Sequence, residues 1–438
     1  MLAVLSNRIY RHLFLAQVVA LVGTGLLTLA LGLLAFQLAG KDAGAVLGTA
    51  LAIKMIAYVG VAPVATAFTE RLPRRAMLVA LDLVRAAVAL LLPFVTEIWQ
   101  IYVLIFALQA ASAGFTPTFQ ATIPDVLPDE NDYTNALSLS RLAYDLESLA
   151  SPMLAAALLG VIDFHQLFVG TAFGFLASAA LVVSVSLPSP KPAAPRGVYD
   201  RTTRGARIYL ATPRLRGLLA INLAAAAGGS IVFVNTVIYV QSAFGLGQSA
   251  VASALAAFGA GSMGVALGLP KLLERMADRP VMLAGASVLA AGAALAAFVP
   301  GYGLLLPLWF ILGAGYALTL TPAGRLLRRS AQPDDRPAVF AAQFALSHAC
   351  WLIAYPVVGW AGARLGLSAA ALIMAALALA GVVLAVAVWP AHEAGATAHR
   401  HPGLPAGHPH LAGQGADAHS HAIVIDDLHP RWLSGQDP

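Results

Sequence analysis

Long apolar runs separated by short polar connections recur along the first 390 residues of the chain. A helical run of about 20 apolar residues matches the thickness of the hydrocarbon core of a bilayer. We count twelve runs of this kind, and we therefore predict twelve transmembrane helices. Their approximate bounds are 13–38, 45–69, 76–96, 99–123, 134–160, 165–187, 217–243, 248–273, 281–299, 303–326, 337–364 and 367–390.

A stretch rich in proline and arginine, residues 188–207, divides the runs into two sets of six. Two equal sets of helices around a charged central loop are typical of carriers built from two halves. The prediction is an all-α polytopic membrane protein with two six-helix halves. We place the first half at 1–187, the central loop at 188–216, the second half at 217–390 and a tail at 391–438.

Composition favours a membrane protein, because 59% of the residues are hydrophobic and only 11% are charged. Soluble domains carry about 25% charged residues. The net charge of +5 is distributed over the connections, and it does not indicate a protein that binds nucleic acid. The single cysteine, Cys350, excludes a disulfide or a cysteine-rich metal site within one chain.

Lysine and arginine are concentrated in every second connection. The even-numbered connections carry most of these residues, whereas the odd-numbered ones hold Lys41 and Arg364. Connections rich in lysine and arginine face the cytoplasm in membrane proteins. We therefore expect the even-numbered connections and both termini to be cytoplasmic.

Six ionisable residues stand out inside the predicted spans, where a charge is expensive and suggests a function. Asp82 and Arg85 lie near one end of the third span, and the other four are candidates for transport or proton coupling. These four are Lys54, Arg141, Asp145 and Glu147. Arg141 and Asp145 are four residues apart, so they share a helix face and can pair, whereas Glu147 lies about 200° from Asp145 around the helix. Two interpretations stay open. The carboxylates exchange protons and cations, or the four groups form a static network that holds the first half together.

Uncharged polar residues also interrupt the apolar spans, and they are expected to point toward a pathway or a neighbouring helix. The candidates for a cavity lining are Gln17, Gln109, Asn222, Asn235 and His348. His348 shares a helix face with Trp351 and Tyr355. A single histidine in a membrane helix can be a metal ligand, a proton relay or a hydrogen-bonded packing residue.

The tail after the last span differs from the rest of the chain, because eight of the eleven histidines lie between 391 and 438. Six of them form three His-x-His pairs: His399 with His401, His408 with His410, and His419 with His421. In an extended backbone residues i and i+2 project to the same side, so each pair can offer two nitrogens to one ion. Neutral imidazole suits nickel, cobalt, copper and zinc.

Glycine, alanine and proline between these pairs predict a disordered tail. We expect the histidine pairs to bind metal as parts of this mobile chain. The alternative is neutral drift of histidines in a disordered segment. The last part, AIVIDDLHPRWL at 422–433, is less degenerate and could serve as a docking segment.

Residues 66–75, TAFTERLPRR, resemble the signature between the second and third helices of the major facilitator superfamily. The charged places of that signature are filled by Glu70, Arg71, Arg74 and Arg75. Thr66 and Pro73 replace the glycines of the family. The resemblance implies a twelve-helix facilitator fold in which this loop latches the two halves. Asp82 and Arg85, near the same end of the third span, are assigned to that latch.

Residues 81–87, 115–128 and 135–155 resemble the exporter branch of that superfamily, which contains siderophore and drug efflux carriers. With the histidine-rich tail, the chain also resembles the nickel-resistance exporters of the NreB type. The resemblance implies a monomeric secondary transporter of a bacterial inner membrane, which exports nickel or cobalt in exchange for protons.

The absence of a G-x-x-x-x-G-K-S/T stretch argues against an ATP-driven pump, and we expect neither enzymatic activity nor a resident cofactor. The expected partners are membrane lipid, protons and the transported ion or small molecule. The alternative function is proton-coupled export of drugs or siderophores, with an incidental or regulatory tail. A membrane sensor that does not transport is a third possibility.

Overall fold

The computed structural model describes residues 1–40, 43–69, 72–188, 197–391, 396–399, 409–411 and 419–432. The helices of the first half are α1 (Arg8–Ala39), α2 (Ala43–Thr69), α3 (Arg74–Leu91), α4 (Ile98–Val126), α5 (Glu130–Leu159) and α6 (Phe164–Val183). The central loop forms α7 (Val198–Ala211). The helices of the second half are α8 (Pro213–Val237), α9 (Gln248–Leu273), α10 (Asp278–Ala296), α11 (Tyr302–Leu320), α12 (Ala323–Arg329), α13 (Arg336–Leu365) and α14 (Leu367–Val388). The tail forms two strands, β1 (Thr397–His399) and β2 (His419–His421).

Within the described residues, eleven helical stretches are long and apolar enough to cross a membrane, and α5 gives a twelfth if its two bent parts are one span. Helices α11 and α12 together form one of these stretches. Helix α5 bends by 43° between Ser148 and Met153. The sequence holds Pro152 there, and a proline has no N–H to donate to the preceding turn. The predicted polytopic all-α fold is confirmed.

Helix α7 is not predicted by the pattern of apolar residues, because the surrounding loop is rich in proline and arginine. Its buried face consists of Gly205, Ile208 and Tyr209, which are spaced as on one side of an amphipathic helix. A Cβ at Gly205 would stand 2.0 Å from the carbonyl oxygen of Ala338. The missing side chain therefore lets α7 lie directly against the start of α13, and α7 also packs against α2.

Among the described residues, the two halves meet most extensively along α2 with α13 and α5 with α9, and they also meet along α4 with α13 and α5 with α12. Within the second half, α9 and α11 approach each other through glycine on both sides. A Cβ at Gly261 would stand 1.9 Å from the carbonyl oxygen of Phe310, and one at Gly313 would stand 1.9 Å from that of Phe258. Small residues allow backbones to meet in this way, which is a common means of holding helices together in lipid.

One end of the bundle, which we call the linker end, carries α7, the connection from α12 to α13, the N-terminal turn and the described residues of the tail. The N-terminal turn Leu2–Ser6 packs on the start of α5. Arg279, at the start of α10, donates to the carbonyl oxygen of Trp389 at 3.0 Å, just after α14. Because successive spans alternate in direction, the even-numbered connections all lie at this end.

Candidate transport site and tail metal centre

A buried ion pair on α5 joins the two halves in the middle of the bundle. Arg141 Nε donates to Asp145 Oδ2 at 3.1 Å, and a second nitrogen of the guanidinium contacts Oδ1. Ser262 of α9 donates to the same carboxylate at 2.6 Å and accepts from Arg141 Nε at 3.0 Å. The guanidinium also lies 4.8 Å from the centre of the Tyr316 ring of α11. A change of charge at Asp145 would therefore directly alter its hydrogen bond to Ser262 of the second half.

Glu147 projects from another side of α5, as its position around the helix predicts. One carboxylate oxygen lies 3.0 Å from the place where a Cβ would stand at Gly25 of α1. Lys54 of α2 lies 5.6 Å from the ring centre of Tyr58 and interacts electrostatically with Glu147. These two charges connect helices of the first half, whereas Asp145 connects the two halves.

His348 lies at the contact between α13 and α2. Its Nδ1 is 2.7 Å from the carbonyl oxygen of Phe344, and its ring centre is 4.7 Å from that of Tyr58. A larger group of rings extends from here into the second half, where Trp351 stands 6.3 Å from Tyr316. The members of this aromatic cluster are Phe233, Phe258, Tyr316, Trp351 and Tyr355. The sequence pattern did not single out Tyr316, Phe233 or Phe258.

The remaining cavity candidates occupy different surroundings. Gln17 accepts from Ser140 at 3.0 Å, which joins α1 to α5, and Asn222 donates to Gln343 at 3.4 Å, which joins α8 to α13. Gln109 is half-buried on α4. Asn235 is fully buried, and its amide has no hydrogen-bond partner among the described residues.

The residues assigned to the latch are spread over several places. Glu70 and Arg71 lie outside the described residues, and Arg75 is exposed at the start of α3. Arg74 donates to Asp125 at 2.6 Å. Asp82 and Arg85 pair with each other inside the first half, where the Arg85 guanidinium lies 4.0 Å from the ring centre of Phe115.

A set of ion pairs that the sequence pattern did not reveal joins the halves at the linker end. Arg336 of α13 contacts Asp125 of α4 at 2.5 Å, and Arg325 of α12 contacts Glu130 of α5 at 2.6 Å. Arg328 donates to the carbonyl oxygen of Pro128. We call these three contacts the cross-half lock, because each one must break before the halves can separate at this end.

Within the tail, the structure describes residues 396–399, 409–411 and 419–432. Strands β1 and β2 pair antiparallel, which places His399 opposite His419. Five imidazoles converge there, and each offers a nitrogen that lies within 4.8 Å of the others. They belong to His399, His410, His419, His421 and His429. We call this group the five-histidine centre. His401 and His408 lie outside the described residues.

Hydrogen bonds behind the rings orient two of these imidazoles. His429 Nδ1 is 2.9 Å from Asp426 Oδ1, and His421 Nδ1 is 2.9 Å from the carbonyl oxygen of Ala422. An acceptor at Nδ1 fixes the tautomer and presents Nε2 to an ion, as is usual for metal-binding histidines. His429 belongs to no His-x-His pair, so the sequence pattern did not mark it.

Burial, followed by the neighbouring imidazoles, lowers the pKa of His419. Burial also lowers the pKa of His429, although Asp426 opposes that change. A lowered pKa keeps a ring neutral to a lower pH than an ordinary histidine. The neutral ring is the form that coordinates a cation, so His419 and His429 stay able to bind one at a lower pH than an ordinary histidine.

The sequence profile of the Major Facilitator Superfamily matches residues 13–279 and 218–414, which together span most of the chain. The chain belongs to the Major Facilitator Superfamily. It is 23% identical over 297 residues to the uncharacterized MFS-type transporter YfiS of Bacillus subtilis, covering 64% of this chain and 69% of that one. It is 24% identical over 178 residues to macrolide efflux protein A of Streptococcus pyogenes, covering 39% of this chain and 43% of that one.

A solved superfamily structure has the same fold. The crystal structure of the human organic anion transporter MFSD10 (TETRAN) matches with a TM-score of 0.73 and 13% sequence identity, covering 86% of this chain and 99% of that one. As a member of the superfamily with eleven or twelve candidate spans within the described residues, this chain is a multi-pass membrane transporter. The superfamily match ends at residue 414, so three members of the five-histidine centre, His419, His421 and His429, lie beyond it.

Proposed function

We propose that this superfamily transporter exports a divalent transition-metal ion, nickel or cobalt, in exchange for protons across a bacterial inner membrane. The observation that carries this proposal is the five-histidine centre at the linker end. We place that end in the cytoplasm, since the connections there are rich in lysine and arginine. The centre then stands where an exporter takes up its cargo, and tethering raises the local concentration of the ion.

The donor set favours a borderline first-row cation. Five imidazole nitrogens suit nickel, cobalt, copper and zinc, and a five-nitrogen set agrees with an ion of high coordination number. Affinity alone would favour copper. The choice of nickel or cobalt is supported by the resemblance to NreB-type exporters.

Proton coupling is assigned to Asp145, with Glu147 as the second carboxylate. A proton on Asp145 would remove the negative charge of the carboxylate to which Arg141 and Ser262 donate hydrogen bonds. The contact between α5 and α9 would weaken as a result, and the halves could move relative to each other. Protonation at one carboxylate would thereby be coupled to alternating access.

The test uses membrane vesicles turned inside out, in which an imposed proton gradient drives accumulation of radioactive nickel or cobalt. We expect the intact chain to accumulate the ion. The Asp145→Asn variant should lower that rate about tenfold or more, because the intramembrane charge is lost. Asp334→Asn, at an exposed carboxylate of the linker end, is the matched control and should be unchanged. Truncation after Ala391 should lower uptake at low ion concentration only. Failure to accumulate either metal refutes the proposal.

A second candidate function is the export of an organic molecule, favoured by the aromatic cluster between Phe233 and Tyr355. Aromatic rings are typical of sites for apolar organic ligands, and one relative is a macrolide efflux protein. This function predicts resistance to macrolides that is lost with Asp145→Asn but kept after truncation at Ala391.

A further inference from the structure

The end of the tail is attached to the linker helix by a shared arginine. Arg204 of α7 donates to Asp427 at 2.8 Å and to Asp335, the residue before α13, also at 2.8 Å. Burial alone would lower the pKa of Arg204, but its hydrogen bonds to Asp335 and Asp427 outweigh burial and raise it. One guanidinium therefore connects the tail to the start of α13.

Arg214, ten residues after Arg204, also connects the tail to the region between α12 and α13. The ring of Trp432 lies 5.2 Å from the guanidinium of Arg214, at the start of α8. Arg214 donates to Ser330 Oγ at 2.7 Å and to the carbonyl oxygen of Arg329 at 2.8 Å. Ile425 is 5% exposed and joins the core of the second half. The segment 425–432 is thus docked on both ends of the connection from α12 to α13.

That connection carries the cross-half lock. Arg325 and Arg328 lie on α12, and Arg336 begins α13. These three side chains contact the first half at Glu130, Pro128 and Asp125. Segment 425–432 contacts two arginines, Arg204 and Arg214, that bind this connection at Asp335 and at Arg329 and Ser330. Docking of the tail consequently stabilises the backbone from which the lock projects.

The docked segment is also part of the five-histidine centre. Asp426 Oδ1 accepts from the backbone N–H groups of Leu428 and His429, at 2.9 and 2.8 Å, and it holds the His429 ring. His429 Nε2 is 2.9 Å from His399 Nε2, across the sheet. Neutral imidazoles in such contact share one proton for each pair of nitrogens, whereas a cation can be bound by all five at once. A bound cation would therefore fix the turn that presents Asp427 to Arg204.

We propose that the five-histidine centre is a regulatory metal site, and that binding one divalent first-row transition cation docks segment 425–432 onto Arg204 and Arg214. Docking stabilises the state in which the linker end is closed. This role shares the metal site with the proposed function, but it does not require metal to be the cargo. An exporter of organic molecules would be regulated by metal in the same way.

The first arm of the test measures docking through Trp432 in the full-length purified chain. Zn²⁺ is the probe, because it is redox-inert and suits imidazole. The fluorescence difference between the chain and a Trp432→Phe variant isolates this residue from the other tryptophans. We expect a saturable change with one equivalent of Zn²⁺ and none with Mg²⁺, which prefers oxygen ligands. His429→Ala should abolish the change, and Arg204→Gln should diminish it while zinc still binds.

The second arm measures closure of the linker end. Leu137 of α5 faces Gly324 of α12 across the two halves. Leu137→Cys in a Cys350→Ser background therefore reports separation there by its rate of reaction with a thiol reagent. We expect Zn²⁺ to slow labelling by about fivefold or more, the usual lower range of an allosteric coupling. Adding Asp427→Asn should remove that effect.

Each outcome has a separate meaning. No zinc-dependent change at Trp432 overturns the proposal, and so does zinc binding that leaves the labelling rate of Leu137→Cys unchanged. Zinc-dependent docking and closure in a chain whose vesicles accumulate no metal would support the regulatory site while refuting metal export.

Discussion

In the candidate transport site, the contacts of a single side chain, Asp145, connect the two halves. The residue is 3% exposed, and its carboxylate is bound by Arg141 of its own helix and by Ser262 of the opposite half. Removing one partner of a buried ion pair leaves the other charge uncompensated, which is strongly destabilising. Under the proposed proton coupling, a proton on this residue would therefore weaken the contact between the halves directly.

Ser262 can be tested without changing a charge. Ser262→Ala deletes the hydrogen bond to the Asp145 carboxylate, and a bond to a charged group contributes about 1.5–3 kcal/mol. We expect a lower Tm of the purified chain and faster labelling of Leu137→Cys. Ser253→Ala on the same helix is the control, because Ser253 is exposed and donates to the backbone of its own helix at 3.0 Å. Equal effects of the two substitutions would contradict a special role for Ser262.

Only part of this site could be predicted from the sequence. The spacing of four residues predicts contact between Arg141 and Asp145, and these side chains do pair. Ser262 and Tyr316 come from the other half, more than one hundred residues away. No local period relates them to Asp145, so a single sequence gives no signal for them.

At the scale of elements, the membrane helices follow from the apolar runs, because a span needs about 20 apolar residues and little else. The predicted helices differ from the observed ones where a helix is not determined by a run of apolar residues. Helix α12 continues α11 after a break at Thr321 and Pro322, which remains inside one apolar run. Helix α7 is stabilised by its contacts with α2 and α13, and these cannot be read from a polar loop.

The contact between α9 and α11 gives a prediction at this scale. Gly261→Ala would place a methyl group 1.9 Å from the carbonyl oxygen of Phe310, so the two helices must move apart. We expect a marked fall in the Tm and in the yield of the purified chain. Gly264→Ala, on the same helix with no atom within 4 Å of the added carbon, should leave both unchanged. A stable Gly261→Ala chain would show that the helices are not packed this closely.

For the whole molecule, the cross-half lock keeps the two halves together at the linker end. Asp125 binds Arg74 from its own half and Arg336 from the other half, so it is one of the points where a charged side chain is shared between the halves. Of the latch residues that the structure describes, Arg74 contacts Asp125, which is a member of the lock. The partners on α12 and α13 could not be predicted, because closure brings together connections far apart in the chain.

Breaking the lock should open the linker end. Arg336→Gln removes the charged hydrogen bond that joins Asp125 to the second half, while Arg74 stays bound to Asp125. A hydrogen bond to a charged group contributes about 1.5–3 kcal/mol. That loss falls on the closed state, so we expect labelling of Leu137→Cys to become at least about tenfold faster. Arg364→Gln, at the exposed end of the same helix, should have no effect. An unchanged rate in Arg336→Gln would mean that other contacts keep this end closed.

Coupling through the shared arginine on α7 must be reciprocal. Two events coupled in one molecule favour each other by the same factor. If an ion in the tail favours closure through Arg204, then closure tightens the hold of the tail on that ion, and opening loosens it equally. The affinity of the tail for the ion would therefore change with the conformation of the transporter. A solute that traps the opposite state from across the membrane would lower the affinity of the tail for a metal that it never meets.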